Sequence, residues 1–369
     1  MDSERVLAQR LATQRLSSAP LPRAADSVHL LTCVQSQERD HAFFSLGLRA
    51  RQSTYATVRG EHDRGDFLRT HILRPTWHFV APEDLRWILA LTSPRVLSGM
   101  AGRHRELGLD DPHRLDSGLS LLVYLLRDRN HLTRGEIGAA FAERGSRITA
   151  GPQLGHLLIV AELQGLVCSG PQKGVHHSYA LVDEVVPPTR ARDEDEALVE
   201  LVRRFFTGHG PATVKDFTRW SSLTVARTKE ALGQLGDDLA CEEVDGTPHW
   251  FDPTTVPRRR PTAPSAYLFP VYDEVVLTYP TVNFPAVADH PFAKHPDPFW
   301  ARVVLDGANV GLWKRTVRAG EVEVDVRLAR SVGEAGRAAV RQAAERLAGF
   351  LELELLHLED DRTPHLWRG

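Results

Sequence analysis

The sequence predicts an α+β protein built from three helical units, each ending in a β-hairpin, followed by a small β-barrel. Apolar residues recur at helical spacing in three regions, a strand or hairpin pattern follows these helices in each region, and strand patterns dominate after residue 264. Helices followed by a hairpin form the winged-helix order. We therefore place tandem winged-helix units at residues 1–115, 116–190 and 191–256, and a β-barrel domain with a C-terminal helix at 257–369.

The first unit combines helical patterns with one apolar strand pattern. Residues 4–16, 27–34 and 55–59 have helical spacing, and the β-branched stretch 72–80 predicts a strand. Pro82-Glu83-Asp84 begins a further helix, because proline suits a first helical turn and acidic side chains suit its positive end.

The second and third units repeat the order of helices and hairpin. Helices are predicted in both units, at residues 119–127, 133–141, 154–161, 197–206, 213–220 and 225–235. Thr133 and Glu136 have the spacing of a capping box. Hairpins are predicted at 166–182 and 239–251, and the second contains an Asp245-Gly246 turn, which is typical of two-residue loops.

Strand patterns replace helical ones in the C-terminal part. The Pro- and Arg-rich residues 253–264 predict a linker. Strands follow at 267–277, at 302–314 with a turn at Asp306-Gly307, and at 322–328. A helix at 334–351 closes the barrel or curled sheet.

Composition excludes several classes of function. With 42% hydrophobic and 25% charged residues, the chain is typical of soluble proteins; we expect no membrane segment, no signal peptide and a cytoplasmic location. Its three cysteines are scattered and predict reduced thiols, and no metal or nucleotide motif is present, so we expect no cofactor and no metal. The net charge of −3 argues mildly against nucleic acid, although DNA binding depends on local basic surface.

The stretch Gln35-Ser36-Gln37 is the most informative in the chain. Two glutamines separated by one residue point to the same side only when the backbone is extended. Paired amides can hold a water molecule or a developing charge with donors and acceptors together. The alternative is a polar surface pair that caps a helix end.

The Gln-x-Gln stretch resembles the signature of the AlkZ-type DNA glycosylases, which are built from tandem winged-helix units. Four further sets of residues are similar to that family in the family's order: residues 74–78 with 82–85, 208–213 with Asp216-Phe217 and Trp220, 268–274, and Asp306-Gly307 with 311–315. Each set is short, and together they span nearly the whole chain.

The resemblance implies a C-shaped molecule around a concave channel of DNA size, with Gln35 and Gln37 as the catalytic pair. It implies a monomer whose partner is double-stranded DNA carrying alkylated or crosslinked guanine. Glutamine at position 37, where a relative has aspartate, places the chain in the crosslink-resistance branch. The hairpin around Asn309 matches one that reaches towards DNA.

Arginine and lysine residues near these motifs are the candidate DNA contacts. We predict that DNA phosphates are bound by Arg39, Arg49, Arg51 and Arg74, because a guanidinium can form two parallel bonds to phosphate oxygens. We also predict that Lys314 and Arg315 bind the DNA backbone. A surface salt bridge is the alternative for each of the first four arginines, and simple solvation of the barrel edge is the alternative for Lys314 and Arg315.

Two glutamines suit a hydrolysis that needs little acid or base catalysis. Alkylation at guanine N7 makes the base a cationic leaving group, and amides can position water and stabilise an oxocarbenium-like sugar. The predicted activity is a monofunctional DNA glycosylase for bulky N7-alkylpurines and crosslinks that gives resistance to an alkylating natural product. One alternative is a non-catalytic winged-helix regulator or sensor, which would bind DNA with sequence selectivity. The other alternative is a structural scaffold.

Overall fold

The computed structural model describes residues 1–255, 264–280, 283–284 and 300–359, and it has the mixed helical and sheet architecture that the sequence predicts. Residues 1–80 form four helices and three strands: α1 (Ser3–Thr13), α2 (Ala24–Leu31), β1 (Cys33–Gln35), α3 (Arg39–Gly47), α4 (Tyr55–Arg64), β2 (Leu68–Arg74) and β3 (Thr76–Val80). The strands pair antiparallel in the order β1-β3-β2, so β3 is central.

The same order of elements recurs after two connecting helices, α5 (Pro82–Gly99) and α6 (Ala101–Glu106). The second group contains α7 (Pro112–Leu126), β4 (Leu132–Thr133), α8 (Arg134–Glu143), α9 (Gly151–Leu163), β5 (Val167–Ser169), β6 (Ser178–Leu181) and the short α10 (Val182–Val185). Its strands pair in the order β4-β6-β5, which repeats the first group. The predicted capping box is confirmed, because Thr133 and Glu136 each accept the other's backbone N–H.

The third group contains α11 (Glu194–His209), α12 (Val214–Ser221), α13 (Val225–Leu235), the 3₁₀ turn Gly236–Asp238, β7 (Ala240–Val244) and β8 (Thr247–Phe251). A single bridge between Ala212 and Trp250 stands where the other groups have their first strand. The predicted Asp245-Gly246 turn is confirmed, with both residues at positive φ.

The C-terminal part is a curled sheet of half-barrel form packed on a long helix. Its elements are β9 (Ala266–Leu268), α14 (Glu274–Leu277), β10 (Ala301–Leu305), β11 (Ala308–Arg318), β12 (Glu321–Leu328), α15 (Gly333–Leu351) and β13 (Glu354–Glu359). The strand order is β13-β12-β11-β10-β9, and β12 and β13 run parallel.

The strand predicted at 267–277 and the predicted linker both fall in or beside this region. The predicted strand at 267–277 is wrong beyond Leu268, because Tyr272 adopts a positive φ and Asp273 caps α14 through the backbone N–H of Val275. The predicted linker falls largely on residues 256–263, which lie outside the described residues.

One hydrophobic core joins the first group of elements to the C-terminal sheet. Phe43 and Phe44 of α3 pack in the same cluster as Trp313 of β11 and Phe350 of α15. The contact is close at Gly47, where an added Cβ would lie 2.5 Å from the Phe350 ring. β1 therefore lies beside a shared core that holds residues far apart in sequence together.

No helix in the described segments combines the length and the apolar character that crossing a membrane requires.

Candidate active site

Gln35 and Gln37 lie where β1 leaves the central strand of its sheet. Gln35 is opposite His78 in the β1–β3 register, and the backbone N–H of Ser36 continues the pairing by donating to the Trp77 carbonyl at 2.8 Å. The extended backbone that the spacing requires is therefore present. No side chain of the described residues caps the start of α3, so within this part of the chain the pair does not form the helix cap that was the alternative.

Both amide oxygens bond to consecutive residues of β3. The Thr76 hydroxyl donates to Gln35 Oε1 at 3.2 Å, and the Trp77 backbone N–H donates to Gln37 Oε1 at 3.4 Å. Gln35 is 7% exposed, whereas Gln37 is exposed. The structure thus brings the two side chains to one strand end and leaves one of them open to solvent.

Arg74 fixes the orientation of the Gln35 amide. Its Nη2 donates to Gln35 Oε1 at 2.8 Å, and because a guanidinium can only donate, the amide oxygen must face it. With Arg74 and Thr76 as donors, both acceptor positions of that oxygen are occupied. The Gln35 Nε2 group, a donor, is the part of the amide left for a ligand.

His78 bonds to Arg74 and helps to fix its position. Its Nδ1 lies 2.9 Å from the Thr76 carbonyl, which requires the proton on Nδ1, so Nε2 accepts from Arg74 Nη2 at 3.2 Å. Burial, followed by the charge of Arg74, lowers the pKa of His78 to about 3, so the ring is neutral near pH 7. His78 is completely buried.

Glu274 holds the backbone of Gln35 from the C-terminal part of the chain. Its Oε1 accepts the Gln35 N–H at 2.7 Å, and its Oε2 accepts the Thr278 hydroxyl at 2.8 Å. Burial raises the pKa of this carboxyl, but His209, the Gln35 N–H and Arg74 outweigh burial and lower the pKa to about 2. Glu274 was not predicted as a site residue, although it ends the family-like stretch 268–274.

We expect Glu274 to affect the pH dependence of stability only in acidic solution. Because its pKa of about 2 lies below the ordinary 4.5, its contribution is complete above pH 4.5 and is lost as the pH falls towards 2. In urea denaturation, the difference in unfolding free energy between wild type and Glu274→Gln should stay constant from about pH 8 to about pH 5 and then shrink. A difference that shrinks already above pH 6 would assign the effect to another group.

Arg69 holds the loop that carries Gln37. Its side chain is 3% exposed, and its guanidinium donates to the Ser36 carbonyl at 2.9 and 3.1 Å and to the Gln37 carbonyl at 3.2 Å. The same group lies 3.6 Å from the centre of the Trp77 ring. Burial lowers the pKa of Arg69 to about 9, which leaves it cationic at neutral pH.

Arg69→Lys is expected to slow base release from damaged duplex about tenfold, because lysine keeps the charge but cannot bond two carbonyls and cover an indole together. Single-turnover rates and duplex affinity would be measured side by side, with Arg59→Lys on α4 as the matched control. An unchanged rate for Arg69→Lys would remove this residue from the site.

The prediction that Arg49 binds phosphate is wrong. Arg49 is fully buried, and its Nη1 and Nη2 bond the two oxygens of Asp273 at 3.0 and 2.8 Å. Nη2 also bonds Gln14 Oε1 at 2.8 Å, and Nη1 bonds the Ser45 carbonyl at 2.8 Å. The guanidinium therefore joins α1, α3 and the C-terminal part, and it cannot reach DNA.

Arg74 also departs from its predicted role. It is half-buried, and its Nη2 is engaged by Gln35 and His78, so the structure makes it a positioning residue for the amide. Its pKa is lowered by burial and by neighbouring Arg219, an exposed arginine at the end of α12 that the sequence analysis did not single out.

The other predicted contacts differ in their immediate surroundings. Arg39 pairs with Asp40 at 3.1 Å, and Arg315 is close enough to Asp40 for that carboxylate to raise its pKa against the larger lowering effect of burial. Arg51 is exposed and bonds the Pro20 carbonyl at 3.4 Å. Lys314 lies 4.8 Å from the centre of the Trp300 ring.

Asn309 lies in β11, just after the Asp306-Gly307 turn, whose two residues have the positive φ values of the predicted tight hairpin. Its Oδ1 is buried and has no hydrogen-bond partner among the described residues. Its DNA contact stays a prediction, as do those of Arg39, Arg51, Lys314 and Arg315.

Comparison with known proteins now identifies the class of enzyme. The family model described as DNA glycosylase AlkZ-like matches residues 28–350, and the chain therefore belongs to the AlkZ-like DNA glycosylase family. The resemblance drawn from the Gln-x-Gln stretch is confirmed, and so is the prediction of a glycosylase.

Two known proteins show the extent of the similarity. The chain is 26% identical over 325 residues to a protein of Streptomyces sahachiroi named interstrand DNA cross-link repair glycosylase, which covers 84% of this chain and 86% of that protein. The solved structure of Streptomyces sahachiroi DNA glycosylase AlkZ matches with a TM-score of 0.74 at 21% identity, covering 97% of this chain and 99% of that chain. The second match shows a common fold.

Proposed function

We propose that this protein is a monofunctional glycosylase that hydrolyses the N-glycosidic bond of bulky N7-alkylated purines in double-stranded DNA and unhooks interstrand crosslinks. In this proposal it protects a cell that makes or meets a DNA-alkylating natural product. The observation that carries the proposal is the pair of amides, Gln35 and Gln37, bonded to consecutive residues of β3 in a chain of glycosylase family.

In this proposal the two amides have different roles, which their contacts support. Gln35 Oε1 is occupied by Arg74 and Thr76, so Gln35 offers its Nε2–H as a donor that fixes the oxygen of the attacking water. Gln37 Oε1 accepts one long bond from the described part of the chain, that of the Trp77 N–H, and we assign its second acceptor position to a water proton or the developing sugar cation. The water is positioned and not deprotonated, which is sufficient when the leaving base is already cationic.

The arrangement of the chain on DNA forms part of the same proposal. We take the three groups of helices and hairpin as tandem winged-helix units with the boundaries given above, in a C-shaped monomer around the duplex. Their repeated sheet orders, β1-β3-β2 and β4-β6-β5, support this assignment. Arg39, Arg51, Lys314, Arg315 and Asn309 are the proposed DNA contacts, and exposed Arg219 joins them because it lies near Arg74.

The test is turnover on defined damage. The protein would be incubated with duplex carrying one N7-alkylguanine or one N7–N7 crosslink, and released base and alkali-labile sites would be measured. We expect stoichiometric base release and duplex binding that weakens steeply with salt and depends little on sequence. Tight binding to one sequence without base release would instead support the winged-helix regulator.

A further inference from the structure

One histidine of the third group of elements lies against the support of Gln35. His209 is the last residue of α11, and it is fully buried. Its Nε2 lies 3.6 Å from Oε2 of Glu274, the carboxylate whose other oxygen accepts the Gln35 N–H at 2.7 Å. The third group therefore reaches the backbone of Gln35 through this pair of side chains, and the reaction described so far gives His209 no role.

Several contacts fix the position of His209. Its ring stacks on Phe205, with the ring centres 4.7 Å apart and the ring planes at 11° to each other. Its backbone carbonyl accepts the Tyr279 hydroxyl at 2.6 Å. The preceding Gly208 lies so close to the end of α2 that an added Cβ would be 2.2 Å from the Leu30 carbonyl oxygen. Packing this close leaves the imidazole little freedom to move.

The buried charge of Glu274 requires donors at both oxygens. Oε2 accepts the Thr278 hydroxyl at 2.8 Å, and His209 Nε2 approaches the same oxygen. Because a carboxylate can only accept, the Nε2 that faces it must carry a proton. Burial raises the pKa of this carboxyl, and His209 is the next largest influence and lowers it. The 3.6 Å separation exceeds an ordinary hydrogen bond, but a dry interior strengthens the attraction between an N–H and a charge.

A displaced Glu274 would disturb both attachments of Gln35. Oε1 of Glu274 holds the Gln35 N–H directly. The carboxylate is also near enough to Arg74 to raise the pKa of that guanidinium against the larger lowering effect of burial, and Arg74 in turn donates to Gln35 Oε1 at 2.8 Å. A misplacement of about 1 Å caused by a distant substitution can slow a reaction about 100-fold.

We infer that His209 is a positioning residue for base release, because it fixes Glu274 and thereby holds Gln35 in place. The inference rests on the proposed function, and it gives the third group of elements a part in the reaction besides any part in binding DNA. His209 contacts neither the attacking water nor the damaged base in this scheme. Its effect should therefore appear in the rate of base release and not in duplex affinity.

Two substitutions separate this positioning role from a packing role. His209→Phe keeps a ring that can stack on Phe205 but has no N–H for Glu274. His209→Gln loses the ring, but its amide nitrogen is the same number of bonds from Cβ as the imidazole Nε2. We expect His209→Phe to slow single-turnover base release at least about tenfold, and His209→Gln to stay within about threefold of wild type, both with unchanged duplex affinity. The opposite order, which a packing role predicts, would overturn the inference.

His249→Phe is the matched control for these variants. His249 is a buried histidine of β8 in the same group of elements, and its Nδ1 bonds the Thr247 carbonyl at 2.9 Å. Its replacement also removes a buried imidazole, but the histidine does not contact Glu274 in the described part of the chain. At a temperature where every variant is folded, His249→Phe should release base at the wild-type rate.

Amide hydrogen exchange tests the contact without any glycosylase reaction. The Gln35 N–H donates to Glu274, whereas the adjacent Ser36 N–H donates to the Trp77 carbonyl. We expect His209→Phe to speed exchange at the Gln35 N–H at least about tenfold and to leave exchange at Ser36 within about threefold of wild type. Unchanged exchange at Gln35 would overturn the inference, whatever the rate of base release.

A double variant tests whether His209 acts through Glu274. In a Glu274→Gln protein, the neutral amide can still accept the Gln35 N–H and has no buried charge to support. His209→Phe should then slow base release by less than about threefold, and equal losses in both backgrounds would overturn the inference. If wild type releases no base but the exchange result holds, the proposed function fails and the support of Gln35 by His209 stands.

Discussion

Gln37→Ala is expected to lower the single-turnover rate of base release by about 100-fold or more while leaving duplex affinity unchanged. Among the residues that the structure describes, the Gln37 oxygen accepts only the 3.4 Å bond from the Trp77 N–H, so removing it frees no strongly bonded group and leaves the fold intact. Its effect should therefore appear in the chemical step. Gln35→Ala should cause a similar loss, because it removes the Nε2–H donor that is proposed to hold the attacking water.

The controls separate catalysis from folding. Gln342→Ala changes an exposed glutamine on α15, and its rate and affinity should match wild type. Gln35→Ala leaves the Arg74 guanidinium without its 2.8 Å partner, so its melting temperature must be measured along with its rate. If Gln37→Ala releases base at the wild-type rate, the assignment of the water to this amide is refuted.

Arg49→Ala is expected to destabilise the fold by about 3–5 kcal/mol, because it leaves the buried carboxylate of Asp273 without its counter-charge. Both residues are fully buried, and the ion pair has two bonds, at 2.8 and 3.0 Å. The loss would be measured by urea denaturation at pH 7. The ion pair joins the end of α3 to the residues before α14. A variant that is partly unfolded at this point should therefore also lose activity.

Arg51→Ala is the matched control for this second prediction. Arg51 is exposed and two residues away, and its removal should change the unfolding free energy by less than about 0.5 kcal/mol. The double variant Arg49→Met, Asp273→Leu should regain part of the lost stability, because it removes both buried charges. An Arg49→Ala protein with wild-type stability but weakened DNA binding would restore the original phosphate assignment.

Local features of the fold could be predicted from the sequence because they depend on neighbouring residues. The capping box at Thr133 and the Asp245-Gly246 turn are set by side chains three residues apart or fewer, and both are present. The helix predicted at 225–235 is found as Val225–Leu235. The strand predicted through 277 failed because Asp273 caps a helix, and apolar spacing does not reveal that competition.

The support of the site could not be predicted in the same way. Glu274 is 239 positions from Gln35, and Arg69 is 33 positions from Ser36, so no periodicity connects them. Arg49 and Arg51 have the same side chain and are separated by a single residue, yet Arg49 is buried and Arg51 is exposed. Whether an arginine side chain is buried depends on which distant segment of the chain packs over it.

The most direct test of the account follows one crosslinked duplex through a single turnover. Wild type, Gln35→Ala, Gln37→Ala and the double variant would be compared at saturating protein, with mass spectrometry of the released base and alkaline cleavage of the strands. The account predicts alkali-labile sites and released alkylguanine with wild type, at least about 100-fold less with each single variant, and no further large loss in the double variant, because the two amides hold one water. Base release by the double variant at the wild-type rate would contradict it.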